Sequence, residues 1–326
     1  MSLIKYNKAI IHKELDQAVD FIKSSNVVAF PTETVYGLGA DATNEAACQK
    51  IFRIKGRPNT NPLIVHVKSL EQAQTIGEFS EDALKLVNMF WPGPLSIVVP
   101  VKSSAKIAKA VVAGLTTVAL RCPSHDIALG LITKSGVPIA APSANPSGYI
   151  SSTTLQHVQE HFLHEKEVFI LIEDRYQSQY GLESTIVDTT SADLVILREG
   201  FITSEALEKV VGRRLMPCAA SIQVKAPGML LRHYSPKVRL RINADSLQEG
   251  EIGLNFAASR LSSNFSVNLS INGNLIEAAA NLYLKLRLLD HYAIQNIIST
   301  IAVAKIPKVG IGAAINDRLK RAAEII

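Results

Sequence analysis

Cysteine is scarce in this 326-residue chain, and the three present, Cys48, Cys122 and Cys218, stand at unrelated spacings. An odd number without a CxxC pair builds neither a disulfide framework nor a zinc site, so the thiols read as structural. Aromatic residues make up only 6%, with one tryptophan, which leaves little material for base-stacking platforms. No apolar run reaches the roughly 18–20 residues that cross a bilayer. The opening MSLIKYNKAIIHKEL has no long apolar stretch followed by a small-residue cleavage site, so a cytoplasmic protein without membrane attachment is the expectation. Also missing are GxxxxGK[ST], HExxH and GxSxG, which argues against a phosphate loop, a zinc peptidase and a nucleophilic-serine hydrolase.

What is present is ordinary in bulk and uneven in placement. The chain is 47% hydrophobic and 19% charged, typical of a globular protein, and long enough for two domains. Net charge is 34 − 29 = +5. Residues 1–217 carry 21 Lys and Arg against 22 acids, residues 241–326 carry 9 against 7, and residues 218–240 carry 4 against none. That middle segment is also punctuated by Pro227, Gly228 and Pro236, which marks it as a linker between a first domain, 1–217, and a small second one, 241–326. Met229, Leu230, Leu231 and Tyr234 suit an idle spacer poorly, so the linker is expected to pack against something.

The periodicity is that of an α/β protein with one large sheet. Leu15, Ala18, Val19 and Ile22 form a helical stripe leading into the apolar run VVAF, and Asn44 is placed to cap a helix reaching about Ile54. PLIVHV, LSIVVPV, TTVALRC, VPIAA and VFILIED read as strands. SEDALKLVNMF, DIALGLITKS, TTLQHVQEHFL and SEALEKVVG read as helices, and PTETVYGLGADAT as a loop. Beyond the linker, RLRIN, EIGLNF, NFSVNLS and ISTIAVAK read as strands, with helices over IEAAANLYLKLRLLDHYA and NDRLKRAAEII. VGIGAA is a poor dinucleotide fingerprint, since Ile315 stands where a third glycine belongs.

Chemistry gathers at turns. In KGR, Lys55 and Arg57 lie two apart, so in extended backbone both face one way and suit phosphate oxygens; a solvated basic turn is the bland alternative. APSANPSG, after an apolar run, offers Ser143, Asn145, Ser147 and Gly148 at a strand end, where ligands of open α/β sheets sit. Arg121 lies inside an apolar strand and needs either a protein carboxylate or a ligand's. His66 follows PLIV and reads more readily as a core residue than as a ligand. GLESTIVD and ILREG add Ser184, Thr185 and Arg198 at the ends of strand-like runs. Scattered cations and hydroxyls without a covalent nucleophile suit positioning and charge neutralisation at a phosphate.

In combination, PTETVYGLGADAT, KGRPNTNPLIVHV, WPGPLS, APSANPSG and ESTIVD resemble the YrdC family, and APGMLLRHYSPK with GIGAAINDRLKRA resembles its long form, over nearly the whole chain. The resemblance implies a large twisted mixed sheet with a positively charged concave cavity, plus a small Rossmann-like α/β domain. It implies synthesis of threonylcarbamoyl-AMP and pyrophosphate from L-threonine, bicarbonate and ATP, with Mg²⁺ assisting, for the threonylcarbamoyl-adenosine modification of tRNA. The family's KxR and SxN motifs fall on Lys55 with Arg57 and on Ser143 with Asn145. Threonine would meet Thr34, His66, Arg121, Ala141 and Ser184. ATP would meet Arg57, Asn61, Thr117, Ser143, Asn145, Ser151, Arg198 and, from the linker, Tyr234, with the linker closing as a lid. A monomer that hands its product to the tRNA threonylcarbamoyl transferase machinery is the implied setting. The alternative is a double-stranded RNA or tRNA-binding module without catalysis, which the small charge excess and scarce aromatics disfavour. Hydrogenase maturation proteins with a YrdC-like part are disfavoured by the absence of zinc-finger-like cysteines.

Overall fold

The computed structural model describes residues 3–173, 178–218, 226–228, 233–263 and 265–323, with side chains from residue 13 onward. Ten strands form one mixed sheet: β1 (Val27–Phe30), β2 (Gly37–Asp41), β3 (Ile64–His66), β4 (Leu95–Pro100), β5 (Thr117–Arg121), β6 (Ile139–Ala140), β7 (Val168–Ile170), β8 (Thr185–Asp188), β9 (Val195–Arg198) and β10 (Met216–Pro217). Their order is β10-β9-β8-β4-β5-β3-β6-β2-β1-β7. The second sheet holds β11 (Arg239–Ala244), β12 (Glu251–Asn255), β13 (Ser266–Asn268) and β14 (Thr300–Ala304), in the order β11-β14-β12-β13, and every pair in it is parallel.

Strand alternation decides where the site lies. Val65, Leu120, Ile97, Val99 and Val187 face the main core, packed under the helices Glu45–Lys55 and Glu81–Phe90. Their neighbours in sequence therefore point to the other face, where His66 pairs in register with Arg121 and Ile64 with Ala119. At one end that face is covered by the helices Leu3–Lys23 and Asp126–Ser135, whose apolar stripes (Leu15, Ala18, Val19 and Ile22; Ile127, Ala128, Leu131 and Ile132) meet Phe30, Ile139 and Ala141. At the other end Ile64, Val98, Ile186 and Leu197 meet Ala226. The gap between the two covers holds the polar residues.

The expected helices are present, and Asn44 caps Glu45–Lys55 by accepting from the Ala47 amide. Two strands depart from the expectation, β2 and the two-residue β10 beside β9. PTETVYGLGADAT contains β2, where a loop was expected, because its small residues are buried on both faces and carry no alternation to read. A Cβ at Gly39 would lie 2.5 Å from Ile139 Cγ2 and 2.7 Å from Phe30 Cε1, so glycine is what allows β2 this close to its neighbours. In the second sheet's domain VGIGAA opens the helix Ile311–Ala323, and Gly312 lies where a Cβ would strike the Pro307 carbonyl, which makes it a packing glycine.

The two sheets share a core. Val35, Ile150 and Leu182, from the segments around the first sheet, pack with Leu282, Tyr283, Leu286, Ile315 and Leu319 of the small domain's helices. Arg287 donates to the Ile150 carbonyl at 2.6 Å and lies over the Tyr149 ring, while Tyr149 Oη donates to Asp290 Oδ2. Of the linker, Ser235 bridges to Tyr149 and Tyr234 is buried. Met229, Leu230, Leu231 and Arg232 lie outside the described residues.

Candidate active site

A cavity opens on the polar face of the large sheet. Its wall includes Thr34, Arg57, His66, Arg121, Ala141, Ser143, Ser184, Arg198 and Tyr234, contributed by stretches far apart in the chain. These are residues the motifs single out, and the fold brings them to one place. Lys55, Asn61, Thr117, Asn145 and Ser151 stand behind or beside this lining.

Arg121 is the centre of one end. Its Nη2 donates to Glu33 Oε1 at 2.6 Å and to Thr34 Oγ1 at 2.9 Å, and Thr32 Oγ1 lies 2.8 Å from Thr34 Oγ1. The question left open by the sequence is thus answered in part: Arg121 has a protein carboxylate. Glu33 Oε2, buried, and Arg121 Nη1 have no partner among the described residues, so the pair is not closed to a ligand. His66 lies beside Arg121, and burial first, then the Arg121 charge, lower its pKa to about 3. It is a neutral imidazole, able to hydrogen-bond a hydroxyl without adding charge. Ala141, on the cavity wall, donates its amide to the Ile64 carbonyl.

The other end is built on two arginines without carboxylate partners among the described residues. Arg57 Nε and Nη2 donate to the Asn61 and Pro62 carbonyls at 3.1 and 2.9 Å, and Nη1 has no acceptor among them. Arg198 Nε and Nη2 donate to the Ser184 carbonyl at 3.1 and 2.8 Å, and Nη1 to the Pro227 carbonyl. Burial lowers the pKa of Arg57 to about 9, so it remains a cation at neutral pH. A buried guanidinium oriented by backbone carbonyls keeps its charge unspent for an anion. Tyr234, with φ +64°, packs beside Gly228, and its Oη is buried without a partner.

Lys55 has a different position from the one expected of a charge facing the ligand. It is the last residue of its helix, and Nζ donates to the Ser143 carbonyl at 2.5 Å and to the Asn145 carbonyl, while its own carbonyl accepts from Ser147. Burial first, then Arg57, push its pKa well below the ordinary lysine range. It braces the SxN turn. Asn145 Nδ2 closes the same turn on the Pro146 and Tyr149 carbonyls. Asn61 precedes β3 and Thr117 opens β5, its parallel neighbour; the Asn61 amide and the Thr117 hydroxyl are buried without partners among the described residues. Ser151 donates to Glu183 Oε1 at 2.5 Å.

Sequence reasoning missed the carboxylates. Glu33 and Glu183 are both buried, and both answer arginines far along the chain. PTET and GLES offered no spacing that betrays such pairing. These carboxylates do not fit a protein-held Mg²⁺: Glu33 gives one oxygen to Arg121 and both oxygens of Glu183 are taken. No group of three His, Cys, Asp or Glu side chains among the described residues is placed to hold a metal, so no chemistry is derived through one.

A mixed-sheet α/β fold whose recess gathers buried guanidiniums, hydroxyls and a neutral imidazole on one wall is the class of protein that this geometry defines. The family follows from comparison. The family model Sua5_yciO_yrdC, described as "Telomere recombination", matches residues 20–200, and Sua5_C, described as "Threonylcarbamoyl-AMP synthase, C-terminal domain", matches residues 202–324. This chain therefore belongs to the Sua5/YciO/YrdC family, in its two-domain form. It is similar to the threonylcarbamoyl-AMP synthase of Pyrococcus abyssi, 39% identical over 98% of this chain and 97% of that one. The Bacillus subtilis protein of the same name is 39% identical over 95% and 93%. The crystal structure of P. abyssi Sua5 complexed with L-threonine superposes with a TM-score of 0.85 at 36% identity, covering 95% of this chain and 94% of that one. Among the described residues no helix is long and apolar enough to cross a membrane.

Proposed function

We propose that this chain is an L-threonylcarbamoyladenylate synthase that joins L-threonine, bicarbonate and ATP into threonylcarbamoyl-AMP and pyrophosphate, a nucleotidyl transfer. The observation that carries the reading is Arg57 and Arg198, buried without carboxylate partners among the described residues, in the wall that also holds Arg121, Thr34 and His66. In this reading Arg121 takes the threonine carboxylate on its unpaired Nη1, and Thr34, His66 and Ser184 take the remaining polar groups of the amino acid. The amine and bicarbonate give an N-carboxylate, a weak nucleophile, with loss of water. Its attack on the α-phosphorus, with loss of pyrophosphate, needs positive charge in place beforehand. Arg57 and Arg198 supply it, and Asn61, Thr117, Ser143 and Tyr234 offer hydrogen-bonding groups for the nucleotide.

Lys55 and Asn145 act at one remove, by fixing the turn that carries Ser143. Ser151 acts in the same way through Glu183. From the linker, Pro227, Gly228, His233 and Tyr234 stand in the cavity wall, where they limit hydrolysis of the carbamate and the mixed anhydride. The product is an activated acyl donor, so the next reaction is transfer of its threonylcarbamoyl group to tRNA by a separate enzyme. A duplex RNA-binding role is opposed by the burial of all three cavity arginines, since a phosphate backbone has to reach its cations at the surface.

The decisive measurement is pyrophosphate release from ATP. It should require threonine and bicarbonate together; release that is unchanged when either is withheld rules the reading out.

A further inference from the structure

We propose that Arg318, in the small domain, is a positioning residue of the ATP site: it neutralises the cavity-wall carboxylate Glu183 and holds Tyr234, leaving Arg198 free for the triphosphate. The proposal rests on the synthase reading above.

Glu183 lines the cavity next to Ser184. A carboxylate in the wall of an anion site works against binding unless its charge is answered from behind. Here it is answered largely by the other domain. Oε2 accepts from Arg318 Nε at 2.9 Å and from Tyr283 Oη at 3.0 Å, both on small-domain helices, and Oε1 accepts from Ser151. Arg318 is almost wholly buried, and its fork is fixed by Asp317 Oδ2 at 2.7 Å and the Glu199 carbonyl at 2.8 Å. Its guanidinium lies 5.0 Å from the centre of the Tyr234 ring, so one side chain braces both the wall and the linker residue that completes it.

Glu183 is held ionised. Burial alone would raise its pKa, but Arg318 first and then Arg198 overcome that and bring it to about 2. Arg198 is thus the other cation acting on Glu183. Without Arg318 the site would be weakened twice, by an unanswered negative charge and by the pull of that charge on an arginine meant for phosphate. A purely structural clamp between domains would predict loss of stability without this charge signature.

The test uses the full chain with Arg318→Met, Glu183→Gln and the double variant, reading ATP and threonine affinity by calorimetry and the kinetics of pyrophosphate release. Arg318→Met should weaken ATP binding about tenfold or more and threonine binding less than about threefold. Adding Glu183→Gln to Arg318→Met should restore ATP affinity to within about threefold of the parent, even where the double variant melts lower. A double variant that binds ATP no better than Arg318→Met overturns the proposal, as does equal weakening of both ligands. Should Arg318→Met not fold, Arg318→Lys decides: it keeps the charge and loses the fork, and should retain ATP affinity within about threefold. Loss of ATP binding in Arg318→Lys would also overturn it. A parent protein that binds ATP but needs neither threonine nor bicarbonate refutes the synthase reading, while the charge rescue at Glu183 is still read out.

Discussion

Arg57 and Arg121 look alike in the sequence, each a cation beside an apolar run, and the fold treats them differently. Arg121 leans on Glu33, whereas Arg57 has only carbonyls. That difference was not legible in the chain, because Glu33 lies 88 residues from its partner and no spacing rule links them. The cations themselves were legible, since a guanidinium in an apolar setting demands an anion. Removing Arg57 should therefore strike the chemistry: Arg57→Ala is expected to lower kcat/KM for pyrophosphate release by about 2–4 kcal/mol in barrier terms, with melting temperature little changed. Lys55→Ala should cost a comparable amount by a different route, through a loosened Ser143–Asn145 turn, so its loss should appear partly as lower stability. Gly228 tests the wall from the outside. Its φ is +84°, and a Cβ there would sit 2.6 Å from Tyr234 Oη and 2.8 Å from Arg198 Cδ. Gly228→Ala should raise the KM for ATP more than that for threonine, and equal effects on both would count against this placement of the nucleotide.

Among the elements, those with a strong period were readable: the stripe of Leu15, Ala18, Val19 and Ile22, the β-branched runs of β4 and β5, and the capped helix after Asn44. The failures share a cause. β2 is built from small residues in the crowded middle of the sheet and β10 is two residues long at its edge, so neither carries a pattern along the chain. At Gly39 that crowding is measurable. Gly39→Ala should destabilise the protein by about 1–3 kcal/mol, as overpacking against Ile139 and Phe30 does elsewhere, and denaturant titration at fixed pH will show it as a lower midpoint.

The whole molecule joins its two sheets through a common core containing Val35, Ile150 and Leu182 from one side and Tyr283, Leu286 and Ile315 from the other. Calorimetry should give one unfolding transition; two well-separated transitions would mean that this shared core does not couple the domains. Acid should find a weak point. His66, His157 and His233 are all depressed by burial to about 3, from an ordinary value of 6.5. They are neutral when folded and take a proton near pH 6.5 when unfolded. The stability they contribute is whole above that value and is lost as pH falls toward 3, at up to about 1.4 kcal/mol per pH unit for each histidine. The urea midpoint should therefore be lower at pH 5.5 than at 7.5, and a higher one would contradict the neutral state assigned to these rings.

Glu183 and Arg318 stand 135 positions apart. A ribosome adding about 5–20 residues per second takes on the order of ten seconds to get from one to the other. For that interval the nascent first domain holds a carboxylate that only its own Ser151 and Arg198 can answer. The clamp on that carboxylate therefore closes only after the second domain's last helix has been made.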